Sequence, residues 1–165
     1  MPTRQKITWV AIGAIAALSA TPTMATVATG TLAVSMTVQA TCTVTSTSAV
    51  AFGTSGLLTA NTDATGTVVV ACTNSTPYTV SLDQGAASGA TTTTRKMTAG
   101  AATISYNLYR DSGRTQNWGN TIGTDTVAGT GNGTNQSLTV YGRVPAQTTP
   151  TPGSYADTVN VTITY

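Results

Sequence analysis

The chain has 165 residues, with seven Lys or Arg, five Asp and neither Glu nor His. Two of the basic residues, Arg4 and Lys6, lie at the extreme N-terminus. From residue 22 onward Arg95, Lys96, Arg110, Arg114 and Arg143 are matched by Asp63, Asp83, Asp111, Asp125 and Asp157. No basic face is left to bind nucleic acid or an anionic membrane. Without His or Glu, nucleophilic and acid–base chemistry lack their usual bases, which argues against an enzyme.

Behind Arg4 and Lys6 comes an apolar run, Ile7 to Ala20, then a short polar stretch ending Thr23-Met24-Ala25. A basic start, an apolar core of this length and a small-residue end make a secretory signal peptide. The run is shorter than the ~20 apolar residues of a spanning helix. Residues 1–25 therefore read as a signal, and no membrane span is expected after cleavage. Cleavage after Ala20 would place Pro22 close behind the cut, so Ala25 is preferred.

Residues Thr31 to Val38 read T-L-A-V-S-M-T-V. Leu32, Val34, Met36 and Val38 fall on one face of a strand, with Thr31, Ala33, Ser35 and Thr37 on the other. Cys42 and Cys72 follow. An even pair in an exported small domain reads as a disulfide, and metal binding lacks both His and CxxC spacing. No metal and no cofactor is expected.

Thr41–Val44 and Ala49–Phe52 read as one broken strand ending at Gly53, followed by a loop from Gly56 to Ala64. Thr67–Cys72 is β-branched and reads as a buried strand; Asn74–Pro77 turns and Tyr78–Leu82 alternates again. Gly85 to Ala102 reads as a long irregular connection holding a short edge strand. Ile104–Tyr109 is a strand with Ile104, Tyr106 and Leu108 on one side, and Thr115–Trp118 a short return strand. Gly129–Gly133 reads as a glycine-rich turn, Gln136–Val144 as a strand stopped by Pro145. Val159, Val161, Ile163 and Tyr165 alternate against Thr158, Asn160, Thr162 and Thr164 in the last strand. Short strands divided by Gly, Pro, Asn and Asp turns predict a β-sandwich with about six principal strands and no long helix.

Two other patterns point to plainer roles. Gly129-Thr130-Gly131-Asn132-Gly133 lacks the Lys and the following helix of a phosphate loop. Tyr106, Tyr109, Trp118, Tyr141 and Tyr155 could make a sugar-stacking platform. Core filling by Tyr106 and Trp118, with Tyr109 and Tyr141 on sheet surfaces, is the simpler reading.

The run Tyr106-Asn107-Leu108-Tyr109-Arg110-Asp111, with Arg114-Thr115 and Trp118-Gly119, resembles the spore coat protein U domain. So do Leu138 to Pro145, Gly153 to Val159, Cys42-Thr43-Val44, Phe52-Gly53 and Cys72. That domain is shared by spore coat proteins and by pilins of the archaic chaperone–usher pathway.

The resemblance implies an all-β, incomplete immunoglobulin-like sandwich completed by a donated strand. A periplasmic chaperone would lend that strand first. At an outer-membrane usher the N-terminal strand of a neighbouring subunit would replace it. Leu32, Val34, Met36 and Val38 would then be the donor, and Val159, Val161, Ile163 and Tyr165 the edge of the accepting groove. Residues 26–40 become a donor segment and 41–165 the domain. The function implied is that of a structural subunit of an exported surface fibre, for attachment or biofilm formation. A spore- or cell-coat protein and a secreted carbohydrate-binding module are the alternatives.

Overall fold

A computed structural model describes residues 22–165; most of the expected signal, residues 1–21, lies outside the described residues. Thr37–Tyr165 form one compact unit. Among the described residues no helix is long and apolar enough to cross a membrane.

The chain is all β among its described residues. Eight strands run in order: β1 (Cys42–Ser48), β2 (Thr62–Cys72), β3 (Pro77–Leu82), β4 (Arg95–Ala99), β5 (Ala102–Tyr109), β6 (Val127–Thr130), β7 (Asn135–Val144) and β8 (Val161–Thr164). They form two sheets, β1-β2-β7-β5-β4 and β6-β3-β8. Every ladder is antiparallel.

Alternation decides which residues fill the space between the sheets. Val68 and Val70 of β2, Val140 and Val144 of β7, and Tyr106 and Leu108 of β5 point inward from the larger sheet. Tyr78, Val80 and Leu82 of β3 meet them from the smaller one. Trp118, fully buried, joins the two layers. Its indole Nε1 donates to the Val80 carbonyl at 3.0 Å and its backbone N–H to the Leu108 carbonyl at 2.9 Å. Cys42 and Cys72 are directly opposed across β1 and β2 and joined by the disulfide expected of them.

Four local expectations need correction. Ala49–Phe52 is not a strand; it packs on the inner face of the larger sheet, with Val50 and Phe52 against the core. Gly66 and Gly142 make the seat. A Cβ at Gly66 would stand 2.7 Å from the Ser48 carbonyl oxygen, and one at Gly142 2.5 Å from Val50. β2 begins at Thr62, inside the expected loop, because its first residues pair with β7 from Val144 backward.

The glycine-rich stretch ending at Gly133 contains the end of β6. Only its far end turns, at Gly133 with φ 78°; Gly129 and Gly131 serve close approach, and a Cβ at Gly129 would strike the Tyr78 ring. Finally, the short return strand is reduced to one bridge, Tyr109 to Asn117.

Candidate functional site

The site begins with an edge. β8 pairs with β3 through Val161–Leu82, Thr162–Ser81, Ile163–Val80 and Thr164–Thr79. Its opposite edge has no strand partner among the described residues, and β1 likewise ends the larger sheet. An open strand edge offers unpaired N–H and C=O groups for another strand.

Beside that edge a cleft of about 530 Å³ opens to the core. Val50, Phe52, Tyr106, Val140, Val159 and Val161 are among the residues that line it. A second space of about 870 Å³ adjoins it and shares Val50, Phe52, Met97 and Tyr155. Of the four residues expected to edge a groove, Val159 and Val161 line the cleft. Ile163 packs on the core within β8. Tyr165 lies one residue past the strand and is 58% exposed.

The segment entering β8 is not yet in a ladder, so side chains fasten it. Thr98 of β4 and Ala156 exchange backbone bonds of 2.9 and 3.2 Å. The Asp157 carboxylate accepts from the Tyr106 hydroxyl at 2.7 Å, from the Ala86 N–H at 2.8 Å and from its neighbour Thr158 N–H at 2.8 Å. Asp83 accepts from the Asn160 backbone and side-chain amides at 2.9 and 2.6 Å, and from the Gly85 N–H at 2.9 Å. Burial works against the Asp83 carboxylate, but these donors outweigh it and hold its pKa below the ordinary value. Burial, and then the bond to Asp157, push the Tyr106 phenol well above its ordinary pKa.

Arg95 was placed by the sequence only in an irregular connection. It is fully buried at the head of β4 and donates to the carbonyls of Asp83 (2.7 Å), Thr92 (2.8 Å), Leu82 (3.1 Å) and Trp118 (2.8 Å). Burial pushes its pKa down, yet a guanidinium starts so far above neutrality that it keeps its charge. The signal for this role would have been an arginine in a charge-poor chain, preceded by four threonines and followed by another cation, Lys96, with no acid nearby in sequence to neutralise it.

On the outer face of the larger sheet, Arg143 grips Asp63 with two bonds of 2.7 and 2.8 Å, and Arg114 approaches Asp63 at 3.3 Å. The Arg143 hydrogen bonds hold the Asp63 carboxyl below its usual range. Arg114 also lies over the Tyr141 ring, 5.8 Å from its centroid. The five aromatic residues are divided among three places, Tyr155 lining the cleft. Tyr106 and Trp118 are in the core, while Tyr109 and Tyr141 oppose one another across β5 and β7.

The N-terminal apolar residues make a contrast with this well-fastened body. Leu32, Val34 and Met36 are 88%, 87% and 88% exposed and Val38 is 71% exposed, and no strand is formed between residues 22 and 41. Gln39 and Thr41 are tied to the body through their carbonyls, which accept from Thr73.

Residues 28–162 match the Spore Coat Protein U domain. The chain belongs to that family. Protein U of Myxococcus xanthus is 39% identical over 107 residues, 61% of this chain and 59% of that protein. The chain thus spans less than two thirds of that relative's length. The chain also shares its fold with a solved structure, that of the CsuC–CsuE chaperone–tip adhesion subunit pre-assembly complex. That complex comes from the archaic chaperone–usher Csu pili of Acinetobacter baumannii. The TM-score is 0.57 at 24% identity, over 78% of this chain and 40% of that one. At this identity the likeness is one of fold.

Within the Spore Coat Protein U domain, the residues that carried the resemblance are framework. Arg110 donates to the Thr126 carbonyl at 2.9 Å, and Asp111 gathers the N–H groups of Thr115 and Gln116. Trp118, Gly142, Tyr106 and Asp157 hold the layers and the cleft in the ways described above.

Proposed function

We propose that this chain is a structural subunit of an exported surface fibre, built by passing residues 31–38 into the cleft of a neighbouring copy. The observation that carries the reading is a complementarity of pattern. Four apolar side chains alternate, exposed, on Leu32, Val34, Met36 and Val38. The domain has an apolar-lined cleft beside the free edge of β8. β-augmentation suits both: backbone bonds satisfy the edge, and alternate side chains enter the core.

In this reading residues 1–25 direct export, residues 26–40 are the donor segment and residues 41–165 the accepting domain. An exposed cleft of this kind is an aggregation hazard in transit, so a periplasmic chaperone covers it until an outer-membrane usher admits the next subunit. The fold shared with a chain of a chaperone–subunit complex supports the chaperone step of this reading. The completed fibre serves attachment or biofilm formation.

The test is Met36→Asp in the full chain, expressed with its chaperone and usher. A carboxylate forced into an apolar pocket costs several kcal/mol when unpaired. Soluble, chaperone-held subunit should remain, while electron microscopy finds no fibres on the cells. Normal fibres from this variant would show that residues 31–38 are not the inserted strand.

A further inference from the structure

Sulfur is scarce in this chain and unevenly placed. Cys42 and Cys72 are buried and joined in the disulfide. Met1 and Met24 fall inside the expected signal, which leaves Met36 and Met97 in the remainder. Both stand at the proposed joint. Met36 is the third of the alternating apolar residues and is 88% exposed. Met97, on β4, is half-buried against the core and lines both the cleft and the space beside it. A thioether suits a strand that has to fit an irregular apolar lining, because its unbranched side chain adapts in shape. It also carries a weakness that Leu32, Val34 and Val38 lack, since its sulfur is readily oxidised.

We propose that Met36 is a modification site through which a peroxide controls strand uptake, the thioether entering a neighbouring cleft and the sulfoxide being refused. This rests on the strand-donating reading given above. With hydrogen peroxide, the sulfur lone pair attacks one peroxide oxygen. The S–O bond forms as the O–O bond breaks, and the displaced hydroxide takes the proton of the transferred oxygen and leaves as water. Sulfur is oxidised and the peroxide is reduced. The product is a polar, chiral side chain, which the apolar cleft lining disfavours.

In the same reading the chaperone covers the cleft and leaves the donor segment bare. Met36 is then open to oxidant in transit and shielded once inserted. Oxidation therefore acts on subunits that are waiting and spares fibres already built. An oxidised subunit still accepts a strand but cannot pass its own on, so it is confined to one end of a polymer. A methionine sulfoxide reductase, with a thiol as reductant, restores the thioether and with it the capacity to donate.

The experiment uses the full chain held by its chaperone. It is treated with hydrogen peroxide until part of it carries sulfoxide at Met36, and is then released to assemble. Peptide mass spectrometry measures sulfoxide at Met36 and Met97 in the polymer and in the subunit left over. Sulfoxide at Met36 should be depleted in the polymer by about tenfold or more, as for an unpaired polar atom entering an apolar site. Treating the leftover subunit with the reductase and a thiol should return it to assembly. Finished fibres should keep Met36 reduced at peroxide doses that oxidise it in the held subunit. The yield of Met36→Leu, compared with its own untreated sample, should not respond to peroxide.

Equal sulfoxide at Met36 in polymer and leftover subunit overturns the inference. The Met36→Asp chain then shows which claim has failed. If it too assembles, residues 31–38 are not the donor; if it does not, the donor reading stands and the cleft tolerates the sulfoxide. A peroxide effect of equal size in Met36→Leu also overturns the inference, because the sensitive group would lie elsewhere, Met97 first. Should Met36→Leu not assemble at all, the partition of sulfoxide in the parent chain decides alone. A parent chain that forms no polymer even untreated removes the fibre reading and this inference with it.

Discussion

The Arg95 guanidinium donates to the backbone carbonyl of Trp118 at 2.8 Å, tying together the two residues with the largest fully buried side chains. Trp118 already links β3 to β5 through its indole and its backbone amide. Arg95 adds β4 and the end of β3 to the same junction. A charge this deep is costly to bury unless its donors are met, and here four carbonyls meet four of its five N–H groups.

Arg95→Met should therefore destabilise the domain by about 3 kcal/mol or more, because several buried carbonyls lose their donor at once. Arg95→Lys should fall between, since three ammonium donors cannot reproduce a planar fork. Urea unfolding of the three proteins gives the comparison. A Met variant within about 0.5 kcal/mol of the parent would mean water replaces the guanidinium without loss.

The disulfide should be a separate, additive support. It closes a loop with a sequence separation of 30, for which the chain-entropy model gives roughly 3.5–4 kcal/mol. Non-reduced protein should label with no thiol reagent, and reduction or paired Cys42→Ser and Cys72→Ser substitution should lower the unfolding midpoint accordingly. Two reactive thiols in native exported protein would contradict the pairing.

Acid should loosen the entry to β8 before it reaches the core. The folded pKa of Asp83 is lowered, so its contribution is present above the unfolded value, about 3.9, and is lost as pH falls through the folded one. The melting temperature should be nearly level from about pH 7 to 5 and decline below about pH 4. Asp83→Asn should reduce stability at neutral pH by about 1 kcal/mol and flatten that decline. A decline of unchanged size in Asp83→Asn would assign the acid response to other carboxylates, Asp63 first among them.

What the sequence made legible was whatever follows from period-2 alternation. Val68, Val70, Val80, Leu108 and Val140 point inward as their spacing requires, and the Cys42–Cys72 pair sits across adjacent strands. Alternation does not report what a residue meets from another part of the chain. Ala49–Phe52 looks like a strand, but Gly66 and Gly142 are shaped to receive it across the sheet. β6 was hidden because glycines that permit contact with Tyr78 look the same in a sequence as glycines that turn. Arg95 was hidden because its partners are backbone carbonyls, which carry no residue type at all. The cleft was legible only as a shortage of strands; the Tyr106–Asp157 hydrogen bond in its lining joins residues 51 positions apart.

The most decisive expectation concerns moving the N-terminal segment to the other end of the chain. β8 ends at Thr164 with its outer edge free among the described residues, and Tyr165 follows it, largely exposed. Thr29–Gln39 attached behind Tyr165 through a short flexible linker can fold back along that edge. Leu32, Val34, Met36 and Val38 would then face the cleft lined by Val50, Phe52, Val159 and Val161. Tethering gives an effective concentration of about millimolar for a short linker, so self-completion should outcompete exchange between molecules. The rearranged chain should be a chaperone-independent monomer with one cooperative unfolding transition, whereas the chain with Thr29–Gln39 deleted should aggregate. Size-exclusion chromatography and thermal unfolding separate the two. A deleted chain that is already a stable, cooperative monomer would mean the sandwich is complete without a donor, and the fibre-subunit reading would give way to that of a coat protein or binding module.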